Sequence, residues 1–390
     1  MTRKNRIKSL QDRISAEGIC AALLFYSRDV FYYTGTAQPA YLVVFPDDYV
    51  LYIRSGFAFA SNEVFIDKTK MKEDRRLKNI AKDISSRLSG SKIATELDVL
   101  PATRFFEFKN IFSKHDLVDI SPIVLEQRKL KDNVEIEKIK LACEVVHAGH
   151  EAVLSTLKEG ITELELSAAV ENAHRLAGHE GIFFIRQPDF IMSRGPISSG
   201  PNLFRPSGVV YTITGVGLSA SVPAGPSRRK IVMGDPVVVD IPTLVDGYHA
   251  DQTRTYILGK ATEKLRSMYE RLKEISDFLI EEIRPGMTCS EIYEMALKKS
   301  DALQVSDAFL NFGKGNKSRI IGHGVGLELN EPPILSSYDH SEVSEGYVIA
   351  LDMHMLKEDV GVVKLEDMIL IQSDRNEILT KSPRQLFEIE

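Results

Sequence analysis

The chain has 390 residues, 43% hydrophobic and 27% charged, a composition typical of folded proteins and a length sufficient for roughly two or three domains. Its formal net charge is −6, with acids and bases interleaved, which argues against nucleic acid or an anionic membrane as the main partner. Three widely separated cysteines, Cys20, Cys143 and Cys289, have neither metal-binding nor redox spacing, so we expect a reducing, cytoplasmic location.

The N-terminal segment predicts an amphipathic helix rather than a signal peptide. Its basic start is followed by Ile7, Leu10 and Ile14 on one helical face, and Gly18 ends the pattern. No stretch reaches about 18 uncharged apolar residues, so we expect no membrane span.

Strand and helix patterns then alternate, which predicts a smaller α/β domain over residues 1–125. Residues 72–90 are predicted to be a helix, and we find no catalytic constellation in this domain. The segment Pro122–Asn133, with its cluster of Lys and Arg, is predicted to be the connection to a second domain over residues 126–390. The predicted strands are Ala21–Phe25, Tyr41–Phe45, Tyr49–Ile53, Lys92–Thr95 and Leu117–Ile120.

The second domain contains a weak internal repeat. A helical pattern is followed by Gly160-Ile161-Thr162, and another is followed by Gly286-Met287-Thr288, an offset of 126 residues (286 − 160). Each threonine stands three positions before a glutamate, Glu165 or Glu291, which is the capping-box pattern of a helix start. The repeat indicates either two unrelated helix pairs or a duplicated α/β unit with a site where its halves meet.

A hairpin pattern carries the first two candidate acids. Asp246-Gly247 between β-rich runs is a strong two-residue hairpin signal, and it places Asp240 opposite Thr253. Asp251 then lies on the same face as Asp240, at a diagonal of about 7–8 Å. An acid in a buried strand is costly unless it is paired or binds metal. The alternative is a surface hairpin in which Asp251 pairs with Arg254.

Three further candidates lie in the last part of the chain. His323 stands between two glycines, which let the backbone pass close to a ligand, although a histidine in a turn is the alternative. Two later β-rich runs are each interrupted by an acid, and the alternative to a metal ligand is an acid at an exposed strand end. Two ions about 3.5–4 Å apart would share a hydroxide and polarise a carbonyl. The combined oxygen and nitrogen ligands suit Mn²⁺, Co²⁺, Fe²⁺ or Zn²⁺; they are Asp240, Asp251, His323, Asp352 and Glu366.

These residues, in this order, resemble a known enzyme family. Asp240, Asp251 within Asp-Gln-Thr-Arg-Thr, Gly-His-Gly around His323, and two acids fourteen apart (366 − 352) are similar to the prolidase, aminopeptidase P and methionine aminopeptidase family. The stretch Asp29–Gly35, with its Tyr-Tyr-Thr-Gly, resembles the creatinase-type domain of prolidases. The resemblance implies an α+β protein. It has a smaller α/β creatinase-type domain over 1–125 and a pita-bread domain, a duplicated α/β unit, over 126–390.

The resemblance also implies how the site works. Two divalent ions would be bridged by Asp251 and Glu366, with Asp240 on one metal and His323 and Asp352 on the other. Metal-bound hydroxide would attack the scissile carbonyl of a small peptide, as in Xaa-Pro dipeptidases and aminopeptidases. Glu366 would be catalytic, because it would support the bridging hydroxide.

Around the ligands, the sequence departs from the family. Asp352 replaces the usual glutamate and is shorter by about 1.5 Å. Asn330, the expected substrate-binding residue, replaces a histidine and cannot shuttle a proton. Ala224 stands where another histidine is expected, and His354 is a candidate replacement imidazole. Arg254 is expected to support Asp251 or a neighbouring carboxylate from behind.

Two other functions remain open at this point. One is a non-peptidase member of the fold, either a C–N hydrolase like creatinase or ectoine hydrolase, or a lyase. The other is a non-catalytic binding protein, which the retained ligands disfavour. The expected partners are a small peptide or amide substrate and a second copy of the chain in a homodimer, with no nucleic acid and no membrane.

Overall fold

The backbone divides between Arg128 and Lys129 into two units, Met1–Arg128 and Lys129–Glu390, close to the expected boundary at residue 125. This computed structural model describes residues 3–188, 195–208, 212–314 and 316–390. None of the helices within these residues is long and apolar enough to cross a membrane.

The first unit contains a six-stranded sheet in the order β4-β3-β2-β1-β5-β6. β2 runs antiparallel to both β1 and β3, and the remaining neighbours are parallel. Its elements are α1 (Arg6–Ala16), β1 (Ile19–Leu24), α2 (Ser27–Thr34), β2 (Ala40–Val44), β3 (Tyr49–Ile53), α3 (Phe57–Glu63), β4 (Met71–Glu73), α4 (Leu77–Ile84), β5 (Lys92–Thr95), α5 (Ala102–Ile111), β6 (Asp116–Asp119) and α6 (Ser121–Lys129).

One prediction for this region was wrong. The helix expected over residues 72–90 is limited to Leu77–Ile84, because Met71–Glu73 pairs as a parallel strand with β3. The boundary between the two units falls inside the predicted connection Pro122–Asn133, whose first part is helical as α6. The predicted N-terminal helix is confirmed, and it buries Ile7, Leu10 and Ile14.

The second unit contains a nine-stranded sheet whose main path is β13-β12-β14-β15-β11-β8-β7, with β16 beside β15 and β17 beside β11. β9 and β10 form a separate two-stranded sheet. The elements are α7 (Asn133–Thr156), α8 (Glu163–Ala177), β7 (Ile197–Ser199), β8 (Pro236–Asp240), β9 (Thr243–Val245), β10 (Tyr248–Ala250), β11 (Thr253–Leu258), α9 (Glu263–Glu282), α10 (Cys289–Ala302), β12 (Ile320–Gly324), β13 (Glu331–Ser336), β14 (Val348–Lys357), β15 (Gly361–Leu370), β16 (Glu377–Ile378) and β17 (Phe387–Ile389).

The duplicated unit is visible in the hydrogen bonds before α8 and α10. The Gly160 N–H donates to the Ile231 carbonyl and the Gly286 N–H to the Val343 carbonyl, each at 2.9 Å. Both helices begin with the predicted capping box. α7, α8, β7, β8 and β11 form one half, and α9, α10 and β12–β15 form the other.

Each helix pair covers the strands of its own half. Val153 of α7 and Val170 of α8 pack against Val237 of β8 in one buried cluster. Leu279 of α9 belongs to another, with Met353 of β14. The halves meet where β11 pairs with β15, so residues near that pairing come from both halves.

Candidate metal centre

The hairpin that carries the first two acids has the predicted register, with Asp240 opposite Thr253. Its turn residues, Asp246 and Gly247, have φ of 49° and 81°, the left-handed conformation that a type I′ turn requires. Asp240 is 5% exposed and Asp251 is 6% exposed, so the surface-hairpin alternative is excluded.

His323 lies within strand β12, and the alternative of a turn histidine was wrong. Its two glycine neighbours are required by close strand packing. A Cβ on Gly322 would lie 2.3 Å from the Ala350 carbonyl oxygen, and one on Gly324 would lie 2.4 Å from that of Pro332. The His323 Nδ1 lies 3.2 Å from the Gly324 carbonyl oxygen. A proton on Nδ1 leaves Nε2 with a free lone pair.

The last two acids face each other across a long antiparallel pair. Asp352 of β14 is opposite Glu366 of β15, and Glu366 is also opposite Thr253 of β11. The Thr253 hydroxyl donates to Glu366 Oε2 at 2.7 Å. Glu366 Oε1 has no hydrogen-bond partner among the described residues.

Three of the predicted ligands converge on one point. Asp251, His323 and Glu366 each offer an atom within 4.8 Å of the others. His323 Nε2 is 3.9 Å from Asp251 Oδ2 and 3.8 Å from Glu366 Oε1. Within the part of the chain that the structure describes, buried Asp251 Oδ1 and Glu366 Oε1 have no hydrogen-bond partner, and buried polar atoms of this kind are rare. One divalent cation would satisfy these lone pairs, so the residues fit a metal ion.

The electrostatics of these residues suit the binding of a cation. Burial raises the pKa of Asp251 well above its ordinary value, and the nearby Asp240 raises it further. Burial and the charge of Asp251 do the same for the pKa of Glu366. Burial lowers the pKa of His323, which keeps the imidazole neutral and able to bind a metal.

The other two predicted ligands surround a lysine that the sequence analysis did not single out. Lys364 Nζ donates to Asp240 Oδ2, and lies 3.1 Å from Asp352 Oδ1 and 3.5 Å from Glu366 Oε2. Burial by itself would lower the pKa of Lys364. The carboxylates of Asp240, Asp352 and Glu366 outweigh that effect and hold the pKa well above its ordinary value.

Arg254 lies behind the site and contacts Asp367 rather than Asp251. Its Nη2 donates to Asp367 Oδ1 at 2.6 Å, and its Nη1 donates to the carbonyl oxygens of Thr253 and Glu366. It therefore supports the pairing of β11 with β15.

A cavity of about 260 Å³ opens onto the carboxylates. Asn330, the predicted substrate-binding residue, lines it together with apolar side chains. Ala224 is buried. His354 Nε2 lies 3.1 Å from the Asn311 carbonyl oxygen and its ring stacks on Phe312, so one ring nitrogen is engaged away from the carboxylates. The cavity is lined by Ile185, Gln187, Thr212, Asp240, Pro242, Asp251, Ile320, His323, Leu329, Asn330, Ile334, Tyr338, Asp352 and Glu366.

Comparison with known proteins identifies the two units. The family model of metallopeptidase family M24 matches residues 137–373, and the Creatinase/Prolidase N-terminal domain matches residues 6–130. An Xaa-Pro dipeptidase of Pyrococcus furiosus is 28% identical over 386 residues, covering 98% of this chain and 99% of that protein.

Solved structures share the whole fold. The prolidase from Pyrococcus horikoshii superposes with a TM-score of 0.79 at 26% identity, covering 97% of this chain and 99% of that one. The Xaa-Pro dipeptidase from Bacillus anthracis gives 0.84 at 22% identity and covers 100% of both chains. This protein belongs to metallopeptidase family M24, with a creatinase-type N-terminal domain and a pita-bread domain, and its class is that of a metal-dependent peptide hydrolase.

Proposed function

We propose that the protein hydrolyses short peptides with proline after the scissile bond, as the Xaa-Pro dipeptidases similar to it are named for doing. The observation that carries this proposal is the convergence of Asp251, His323 and Glu366 on one point at the base of the cavity. A divalent ion bound there supplies Lewis-acid polarisation of a carbonyl and lowers the pKa of a water molecule.

The size of the cavity supports a small substrate. Its volume of about 260 Å³ is at the low end of ligand pockets, which are typically about 300–1,000 Å³. Leu329 and Ile334 give it apolar walls that suit a proline ring, and the Asn330 amide supplies a donor and an acceptor for a peptide group.

Glu366 is the residue that we propose to act on the proton of the attacking water. Its Oε1 faces the convergence point and accepts no hydrogen bond from the described residues, while Thr253 fixes the orientation of its Oε2. A carboxylate oxygen has two lone pairs, so Oε1 would bind the ion through one of them and accept the proton of the water at the other. Asn330 has no titratable group, so its proposed part is to orient the substrate.

The test is release of free proline from Xaa-Pro dipeptides and Xaa-Pro-Xaa tripeptides by protein loaded separately with Mn²⁺, Co²⁺, Fe²⁺ or Zn²⁺. We expect turnover with at least one metal, preference for proline over alanine in the second position, and a loss of at least about 100-fold in Asp251→Asn. Lys131→Met, which removes a buried lysine paired with Glu331 rather than with a predicted metal ligand, is the matched control. Absence of turnover across both panels would contradict the proposal, and turnover only of small non-peptide amides would favour the other C–N hydrolases of this fold.

The native metal and the number of ions belong to this proposal and stay predictions. So do the homodimer and the cytoplasmic location. Light scattering of the metal-loaded protein measures the oligomeric state directly.

A further inference from the structure

A lysine lies inside the carboxylate cluster of the metal centre. Lys364 and Glu366 are two residues apart in β15, so their side chains leave the same face of the sheet. The Lys364 side chain is 1% exposed, and its ammonium faces Asp240, Asp352 and Glu366.

Each carboxylate near Lys364 has a distinct relation to it. Asp240 Oδ2 accepts a hydrogen bond from Nζ, which engages that ligand oxygen. Asp352, the shorter acid in the ligand series, has its Oδ1 at 3.1 Å from Nζ. Glu366 turns Oε2 towards Lys364 and Oε1 towards His323. Glu366 therefore lies between two positions for positive charge.

We propose that the Lys364 ammonium occupies the place of one of the two expected metal ions, so that the centre binds a single divalent ion at Asp251, His323 and Glu366. This inference rests on the proposed function only in taking the convergence point as a metal site.

The arrangement of charges follows from this placement. One divalent ion and one ammonium together offset three of the four formal negative charges of Asp240, Asp251, Asp352 and Glu366. A second ion beside Asp240 would compete with Nζ for the same oxygen atoms and would be repelled by its charge. Lysine is a compact point charge with three donors, so it can contact several carboxylates at once, as a metal ion does.

The first test is the number of metal ions per chain. Protein equilibrated with excess Mn²⁺ or Co²⁺ and freed of unbound metal is analysed by inductively coupled plasma mass spectrometry. We expect about one ion per chain in the unmodified protein and in Lys364→Arg, which keeps the positive charge. We expect the ratio to rise towards two in Lys364→Met, because Asp240 and Asp352 lose their cation.

Lys131→Met is the matched control. It removes a lysine that is equally buried but paired with Glu331 at 2.8 Å rather than with any of the five predicted ligands, so the ratio should stay at one. Two ions in the unmodified protein, or a ratio unchanged by Lys364→Met, would overturn the inference.

Electron paramagnetic resonance gives a second measurement that needs no variant. Unmodified protein loaded with Mn²⁺ should show the hyperfine-split signal of an isolated ion, and the signal of an exchange-coupled pair would overturn the inference even if Lys364→Met does not fold. The two proposals fail separately. Two ions per chain together with turnover of prolyl peptides would contradict only the proposed role of Lys364. One ion per chain without turnover would contradict only the proposed peptidase activity.

Discussion

At the scale of single residues, metal binding depends on which atoms of each ligand side chain already take part in hydrogen bonds. Thr253 binds one oxygen of Glu366 and leaves the other directed towards His323. Hydrogen bonds of this kind orient metal ligands, and their loss typically reduces metal affinity about 10–100-fold. Thr253 is therefore a positioning residue.

We expect Thr253→Val to weaken metal binding by about 10–100-fold because valine keeps the volume of threonine but cannot donate to Glu366. Isothermal titration with Mn²⁺ or Co²⁺ measures the affinity. Thr255→Val, in the same strand, is the control, because the Thr255 hydroxyl contacts the backbone of Lys364 rather than a ligand side chain. Equal affinities in the two variants would show that Thr253 has no orienting role.

The sequence was sufficient to predict the convergence of Asp251, His323 and Glu366. Each signal was weak alone, and the prediction came from the ordered series of acids and Gly-His-Gly through its resemblance to a known enzyme family. Lys364 was missed, although its position two residues before Glu366 already predicted that both side chains share a face. What the sequence could not show is that the ammonium turns towards Asp240, because that contact depends on the pairing of distant strands.

At the scale of elements, the two capping boxes are equivalent structures in the two halves. The Thr162 and Thr288 side chains each accept a hydrogen bond from the backbone N–H of the glutamate three residues later. Loss of such a cap typically costs about 1 kcal/mol, with a range of roughly 0.5–2.

We expect Thr162→Ala and Thr288→Ala each to lower the free energy of unfolding by about 1 kcal/mol. The effects should be additive in the double variant, because the two caps share no contact partner among the described residues. Urea unfolding measures them. The control variants Thr162→Ser and Thr288→Ser keep the hydroxyl and should stay near the unmodified protein. A cost confined to one cap would show that the halves are not energetically equivalent.

Elements were predicted well where the pattern was local and poorly where pairing between distant segments decided the structure. The capping boxes and the Asp246-Gly247 turn are local, and both were confirmed. The helix predicted over residues 72–90 loses its first part to pairing between β4 and β3. His323 lies in a strand because it pairs with Ile334 of β13 and Ala350 of β14.

At the scale of the whole molecule, stability depends on pH through histidines that are buried without charge. His174 of α8 is 1% exposed, and a Cβ on Gly149 of α7 would lie 2.0 Å from its Nε2. Its Nδ1 has no hydrogen-bond partner within the described part of the chain. Burial lowers the pKa of His174 from 6.5 to about 4.

The direction of the pH effect follows from that lowered pKa. Between pH 6.5 and about 4 the unfolded chain binds a proton at this residue and the folded chain does not, so stability is lost as the pH falls. Between pH 7 and pH 5, we expect the free energy of unfolding of the unmodified metal-free protein to fall about 2 kcal/mol further than that of His174→Gln. Each pH unit in which only the unfolded chain is protonated contributes roughly 1.4 kcal/mol. Urea unfolding at the two pH values measures this difference. Equal decreases in the free energy of unfolding of both proteins would show that the pH dependence comes from other groups.

The division of the ligands between two halves has a consequence for the order of events in the cell. Asp240 and Glu366 are 126 residues apart (366 − 240), an interval that takes roughly 6–25 s at about 5–20 residues per second on the ribosome. Until that interval ends, Asp240 and Asp251 exist without Glu366, and His323 follows Asp240 only after 83 further residues (323 − 240). The nascent first half therefore has no complete site with which to capture an ion. We therefore expect metal acquisition to follow translation of both halves, so that the metals available to the finished chain, rather than those near the ribosome, decide which ion it binds.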